Sequence, residues 1–166
     1  QNTQGLMALV SYPIFSPLIK IPNCSIFLDN ISDPGNMGTL LRTANWFGID
    51  SVFLSPKCVD IFNSKVIRAA MGSHFYFKRI HISPFDKIFN KSNDLTVIAG
   101  DLKGESIDKI SIEKEKKWIL VLGSEAHGIS ASIDPFITHR VTIPGSGYME
   151  SLNVVSAGSI ILYHLA

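Results

Sequence analysis

The chain has 166 residues, of which 46% are hydrophobic and 17% are charged, and its formal net charge is +1. This composition supplies the core of one domain and excludes a disordered chain. The small net charge means that nucleic-acid binding cannot be inferred from charge. The two cysteines, Cys24 and Cys58, lack metal-ligand or disulfide-framework spacing, which favours a reducing, cytoplasmic compartment.

Short apolar segments alternate with segments of helical periodicity along the whole chain. The predicted strands are 26–28, 51–54, 75–80, 96–99, 118–122 and 140–143. The predicted helices are 38–47, 64–71, 84–89, 131–136 and 151–165. Such alternation predicts an α/β domain with a parallel sheet.

Three polar, glycine-bearing segments each follow a predicted strand. They cover residues 29–43, 122–128 and 143–153. Each segment alone is compatible with an ordinary loop between a strand and a helix. Because parallel strands end at one edge of a sheet, the three segments together are predicted to line one crevice.

Several other kinds of site are not indicated. Glu150 stands where a dinucleotide-binding G-x-G-x-x-G motif would need its third glycine, and no P-loop or G-x-S-x-G motif occurs. The five histidines are scattered without metal-ligand spacing, so no metal is expected; His127, inside the second segment, is most simply a solvent-facing loop residue. No apolar run is long enough for a membrane span, so no membrane association is expected.

Taken together, the three segments resemble the motifs of the SpoU family of RNA ribose 2′-O-methyltransferases, within the SPOUT superfamily. The first motif matches at Asn30, Pro34, Asn36, Gly38, Arg42 and Ala44. The second matches at Leu122, Gly123, Ser124, Glu125 and Gly128. The third matches at Ile143, Pro144, Met149, Ser151, Leu152, Asn153, Val154 and Ala157. The resemblance extends from about Cys24 to the C-terminus.

The resemblance implies a parallel-sheet α/β domain with a C-terminal trefoil knot, the SPOUT fold. It also implies a homodimer that uses S-adenosyl-L-methionine to methylate a ribose 2′-hydroxyl of tRNA or rRNA. Residues 24–166 would form the catalytic domain. Residues 1–23 would supply a linker and first strand after a missing N-terminal RNA-recognition domain, an expectation that the absence of an initiator methionine also favours.

The resemblance further assigns roles to individual residues. The expected catalytic residues are Arg42, Asn36, Glu125, Ser151 and Asn153. The expected substrate contacts are Asn30, Asn36 and Arg42. The expected cofactor contacts, several of them through the backbone, are Leu122, Gly123, Ile143, Pro144, Met149, Ser151 and Leu152.

Three of these roles have alternatives. Arg42 could act as a general base, but a deprotonated guanidine at neutral pH costs roughly 8 kcal/mol, so we favour an orienting and electrostatic role. Glu125 is expected to orient either Arg42 or a neighbouring asparagine. Ser151 could simply be the N-cap of the last helix.

Two other functions compete with ribose methylation. The first is a non-catalytic RNA-binding module of the same fold, although such a module would not need the complete set of five polar residues. The second is a methyltransferase acting on a base nitrogen, which would be expected to carry an acidic general base and a different first motif.

Overall fold

A single sheet of six parallel strands organises the computed structural model, which describes residues 9, 11, 20–92, 94–112 and 116–166. The strands are β1 (Cys24–Asp29), β2 (Ser51–Leu54), β3 (Arg79–Ile82), β4 (Leu95–Ser106), β5 (Lys117–Gly123) and β6 (His139–Thr142). The α-helices are α1 (Pro34–Trp46), α2 (Ser64–Ala70), α3 (Phe85–Phe89) and α4 (Val154–Leu165). Short 3₁₀ helices occupy Ser73–Phe75, Ile107–Lys109 and Asp134–Phe136. The predicted parallel α/β fold is confirmed.

The strand order is β3-β2-β1-β5-β4-β6. Strands β2 and β3 lie on one side of β1 and the later strands lie on the other, so the boundary between β1 and β5 is a topological switch point. These two strands pair in register, with Leu28 opposite Leu122 and Asp29 opposite Gly123. Ligands of open α/β sheets bind outside the carboxyl ends of the strands at such a switch point. The first two polar segments therefore emerge side by side at the position where a site is expected.

Two apolar layers cover the two faces of the sheet. Alternate residues of β1 point to opposite faces, so Ile26 and Leu28 pack against α1, α2 and α4. Phe27 packs in the other layer, beside α3 and the segment that follows β5. All three side chains are fully or almost fully buried. Such continuous burial on both faces is typical of central parallel strands.

Helix α1 begins four residues before the predicted start. Asp33 is its N-cap, accepting a hydrogen bond from the backbone N–H of Asn36 at 2.7 Å, and Pro34 occupies the first helical position. Both choices are favoured at a helix start, because Pro lacks an N–H that would be unpaired there. The amphipathic pattern used for the prediction only becomes visible after this first turn.

The last helix begins at Val154 rather than at residue 151. Asn153 is its N-cap and accepts the N–H of Val155 at 2.8 Å, so the alternative that Ser151 caps the helix is wrong. Both residues belong to types that cap helices, and sequence alone does not separate them.

Two further predicted elements differ in extent or type. The predicted strand 75–80 is wrong over its first four residues, because Ser73–Phe75 forms a 3₁₀ helix and β3 begins only at Arg79. The predicted helix 131–136 reduces to the 3₁₀ turn Asp134–Phe136. The linker and first strand predicted in residues 1–23 lie largely outside the described residues. In the described ranges no helix has the length and apolarity needed to cross a membrane.

Candidate functional site

One carboxylate joins the three polar segments. Glu125 Oε1 accepts hydrogen bonds from Asn36 Nδ2 at 2.5 Å and from Asn153 Nδ2 at 3.1 Å. Asn153 Nδ2 also donates to Asn36 Oδ1 at 3.2 Å, which closes a triangle of side chains. The three members come from the segments that follow β1, β5 and β6. The predicted convergence of the three segments at one sheet edge is therefore observed.

Helix starts hold two corners of this triangle. Asn36 lies in the first turn of α1, where its backbone N–H is held by the Asp33 cap. Asn153 Oδ1 accepts the hydrogen bond that caps α4, so the NH₂ group of the same side chain remains free to donate into the site. Rigid helices therefore determine where both amides point. Of the two alternatives for Glu125, the structure selects the asparagines.

The loop that carries Glu125 closes tightly on itself. Gly123 and Gly128 lie so close that a β-carbon on Gly123 would be 2.2 Å from the Gly128 backbone. Ser124 and Gly128 form a short antiparallel bridge, and Gly128 has a φ of +66°. His127 is exposed and donates its backbone N–H to Ser124 Oγ at 3.2 Å. Both glycines are thus required by the shape of this loop.

Arg42 lies on α1 with an exposed side chain. In the part of the chain that the structure describes, it makes no hydrogen bond or ion pair. Its helix crosses α2 closely at Gly38, where a β-carbon would lie 2.5 Å from both Ala69 Cβ and the carbonyl oxygen of Val66. This close crossing fixes the helix while leaving the guanidinium available to a ligand.

Asn30 connects neighbouring loops. Its backbone is left-handed, with φ of +56°, and its Nδ2 donates to Ser130 Oγ at 2.9 Å. Its backbone N–H donates to Ser55 Oγ at 2.8 Å. Next to this junction the Cys58 thiol donates to the Leu28 carbonyl, and burial raises the pKa of that thiol. The observed contacts of Asn30 thus organise the edge of the sheet.

The third segment lies open beside the Glu125 loop. Residues 144–153 are all exposed, and Tyr148 and Met149 are 91% and 81% exposed. Within the described residues, no hydrogen bond engages the backbone N–H groups of residues 145–152. Ser151, Leu152, Pro144 and the half-buried Ile143 all border this open backbone. Such unpaired polar backbone is available to a ligand read through its main chain.

Two residues at this edge were not singled out from sequence. Asp29 is 2% exposed and accepts the backbone N–H of Ser130 at 2.8 Å. Ser130 in turn accepts from Asn30, so it ties the residues just after the second segment to the first segment. An acidic residue at the end of an apolar strand could have indicated Asp29, whereas nothing local indicated Ser130. In the described ranges, no group of three or more His, Cys, Asp or Glu side chains could hold a metal ion.

An open parallel α/β sheet with its polar residues collected at the strand-order switch point defines a ligand-binding α/β domain. The chain belongs to the SpoU rRNA methylase family, whose sequence profile matches residues 23–163. The resemblance of the three motifs to this family is confirmed.

Known relatives agree with this assignment. The 23S rRNA (guanosine(2553)-2′-O)-methyltransferase RlmP of Bacillus subtilis is 31% identical over 140 residues, which cover 84% of this chain and 56% of that protein. A putative RNA methyltransferase of the TrmH family from Porphyromonas gingivalis superimposes with a TM-score of 0.81 at 36% identity, over 89% of this chain and 61% of that one.

A third similar protein is the AdoMet-bound rRNA methyltransferase from Sinorhizobium meliloti. Its TM-score is also 0.81, at 29% identity, over 91% of this chain and 60% of that chain. The present chain therefore spans less than two thirds of the length of each of these three proteins.

Proposed function

We propose that this chain transfers the methyl group of S-adenosylmethionine to a ribose 2′-hydroxyl of tRNA or rRNA. The observation that carries the proposal is the Asn36–Glu125–Asn153 triangle, which joins all three family motifs at the switch point of the sheet. Two of the similar proteins are named as rRNA methyltransferases, and one of these acts on a ribose 2′-oxygen. The compartment that suits this chemistry is the cytoplasm.

The chain offers a suitable binding place for the cofactor. The open backbone of residues 145–152 lies next to the closed Gly123–Gly128 loop, and its N–H groups can pair with the adenine and methionine ends of the cofactor. Residues 145–152 are all exposed, so a ligand can reach these backbone groups. Pro144, Met149 and Leu152 then supply apolar contacts. The side chain of Leu122 is 2% exposed and packs in the core, so Leu122 can contribute only its backbone. The bound cofactor supplies an electrophilic methyl group on a sulfonium.

The residues of the site would align the ribose with that methyl group. Held by the backbone of residues 145–152, the cofactor would supply its sulfonium methyl group to the 2′-oxygen, its sulfur would leave as a neutral thioether, and the hydroxyl proton would pass to solvent. Asn36 and Asn153, both oriented by Glu125, hold the ribose and the cofactor in line. Arg42 stabilises the phosphate and the negative charge that develops on oxygen, and its exposed position supports this orienting role.

The assembly that we propose is a homodimer with the trefoil knot of the family. Helix α4 buries Ile161 and Leu162 against the sheet while Ile160 and Tyr163 stay 42% and 77% exposed. This second apolar face supports burial against a partner copy. For the knot, the support is the family to which the chain belongs.

Incubating the chain with RNA and methyl-labelled cofactor, followed by nucleoside analysis, tests the activity. A 2′-O-methylated nucleoside is expected. A methylated base would indicate the nitrogen methyltransferase, and binding of RNA without any transfer would indicate the non-catalytic module. Mapping the methylation lost from total RNA of a deletion strain would then identify the substrate.

A further inference from the structure

A cavity opens at the same edge of the sheet, beside the proposed methyl-transfer site. Its volume is about 310 Å³, at the lower end of the roughly 300–1,000 Å³ typical of small-ligand pockets. It is bordered by the carboxyl ends of β1 and β2, by the start of α3 and by the segment after Glu125. Phe27, Phe85 and Ile133 form its apolar floor, whereas Lys57 and Asp86 lie exposed at its rim.

The distinctive group in this cavity is the carboxylate of Asp29. It is 2% exposed and lines the cavity, and its Oδ2 atom accepts a hydrogen bond from the Ser130 N–H at 2.8 Å. No cation pairs with it among the residues that the structure describes. A carboxylate offers about four acceptor positions, and burying one with a single partner is costly. Asp29 therefore has acceptor capacity to spare for a ligand.

We propose that this cavity binds an unstacked guanine base of the RNA substrate, with Asp29 accepting its Watson–Crick N–H groups. This inference rests on the proposed RNA substrate. Guanine presents two neighbouring donors, N1–H and N2–H, which match the two oxygens of one carboxylate. The apolar floor suits the faces of the base, and Lys57 at the rim is placed to meet an adjacent phosphate.

The position of the cavity connects base recognition with the chemistry. Asp29 holds the Ser130 N–H and Asn30 holds the Ser130 hydroxyl, so the loop that carries Glu125 also forms a wall of the cavity. A base seated there would place its ribose-phosphate chain along the edge that leads to Asn36. Sequence-specific RNA recognition commonly uses such splayed-out bases.

Titration of the full chain with single nucleotides tests the cavity without requiring catalysis. Guanosine 5′-monophosphate should bind at least about tenfold more tightly than the adenosine, cytidine and uridine nucleotides, measured by NMR shifts of cavity residues. Asp29→Asn keeps an oxygen for the Ser130 N–H but presents an amide donor elsewhere, and it should remove the preference. Ser132→Trp fills the cavity from its exposed rim and should have the same effect. Asp108→Asn changes an exposed carboxylate that does not line the cavity, so it is the charge control and should keep the preference.

Several results would overturn the proposal. These are equal binding of all four nucleotides, absence of guanosine 5′-monophosphate binding at millimolar concentration, binding of ribose 5-phosphate as tight as that of the nucleotide, or a guanine preference that survives in both variants. Methyl-transfer assays on RNA separate this inference from the proposed function. A guanine preference without methyl transfer would contradict only the function, whereas transfer that ignores guanines near the target would contradict only the cavity.

Discussion

Asn153 donates its side-chain amide to Asn36 Oδ1 at 3.2 Å, although the two residues are 117 positions apart. Both amides also donate to the same oxygen of Glu125. One carboxylate oxygen thus couples the helix expected to meet the ribose with the helix start expected to meet the cofactor. A substitution at either asparagine should therefore change how the side chain of the other is positioned.

The two tasks of Asn153 can be separated by substitution. Asn153→Ala removes both the cap of α4 and the donor to Glu125, and it should lower the free energy of unfolding by about 1 kcal/mol. Asn153→Asp keeps a capping oxygen for the Val155 N–H but places a second carboxylate against Glu125. We expect this variant to have a higher free energy of unfolding than the alanine variant. Its methyl-transfer rate should nevertheless fall by more than about tenfold.

A matched control exists on α2, whose N-cap is Asn63, accepting the Lys65 N–H at 2.9 Å. Asn63→Ala should cost a similar free energy of unfolding, measured in urea, and leave the transfer rate unchanged. If Asn153→Asp retained the wild-type rate, the triangle would have no part in catalysis.

Arg42 should matter for catalysis far more than for cofactor binding. It lies on α1, exposed, whereas the open backbone expected to bind the cofactor follows β6. Arg42→Ala should lower the transfer rate at least about a hundredfold, on the scale of removing one electrostatic stabiliser. Arg42→Lys should be nearly as slow, because a point charge does not replace a planar fork. Cofactor affinity, measured by calorimetry, should change by less than about threefold. Near-normal turnover of Arg42→Ala would refute this role.

Gly123 should be intolerant of any side chain. A β-carbon there would lie 2.2 Å from the backbone of Gly128, so Gly123→Ala must push the loop apart and displace Glu125. We expect loss of cofactor binding in calorimetry. Gly145 belongs to the adjacent open loop, where an added β-carbon would meet no atom within 4 Å, so Gly145→Ala is the matched control and should bind normally. If the two variants bound the cofactor equally well, cofactor binding would not require the tightly closed Gly123–Gly128 loop.

Sedimentation should report roughly twice the 18.3 kDa mass of the chain if the exposed face of α4 joins two copies. Tyr163→Lys should yield monomers, because it places a charge in the apolar face beside Phe47, whose ring centroid is 6.4 Å away. Ile82→Lys alters another exposed apolar residue, on the edge strand β3, and should leave the dimer intact. A wild-type monomer with full activity would refute the dimer.

Acid should weaken the tie between β4 and β6. The backbone N–H of Lys103 and the guanidinium of Arg140 hold the pKa of Asp101 below its usual value, against partial burial. A lowered folded-state pKa means that this stabilisation is complete above about pH 4 and is lost as the pH falls through the folded-state value. The difference in unfolding free energy between wild type and Asp101→Asn should therefore shrink on acidification in urea titrations. If the difference in unfolding free energy between the two proteins did not change with pH, the Asp101–Arg140 ion pair would not be the cause of that difference.

Local signals in the sequence were sufficient for the fold class and for the positions of the three polar segments. The apolar runs that became β1 and β5, and the glycines that follow them, act over a few residues and leave a readable pattern. The family motifs are also local, which is why Asn36, Glu125 and Asn153 could be named before their contacts were known. The start of α1 was misplaced because its amphipathic pattern begins only after the first turn, and the start of α4 because Ser151 and Asn153 could each serve as the cap.

Only the tertiary structure decided which of these residues meet. Glu125 reaches Asn36 because β5 pairs with β1, and it reaches Asn153 because the chain returns from β6 to place α4 against α1. The choice of the asparagines over Arg42 as partners of Glu125, and the cavity around Asp29, depend on the same strand order. Pairing between segments so distant in the chain is determined by how the whole core packs. No hydrophobic pattern within a single segment reports that packing, so it could not be predicted from the sequence.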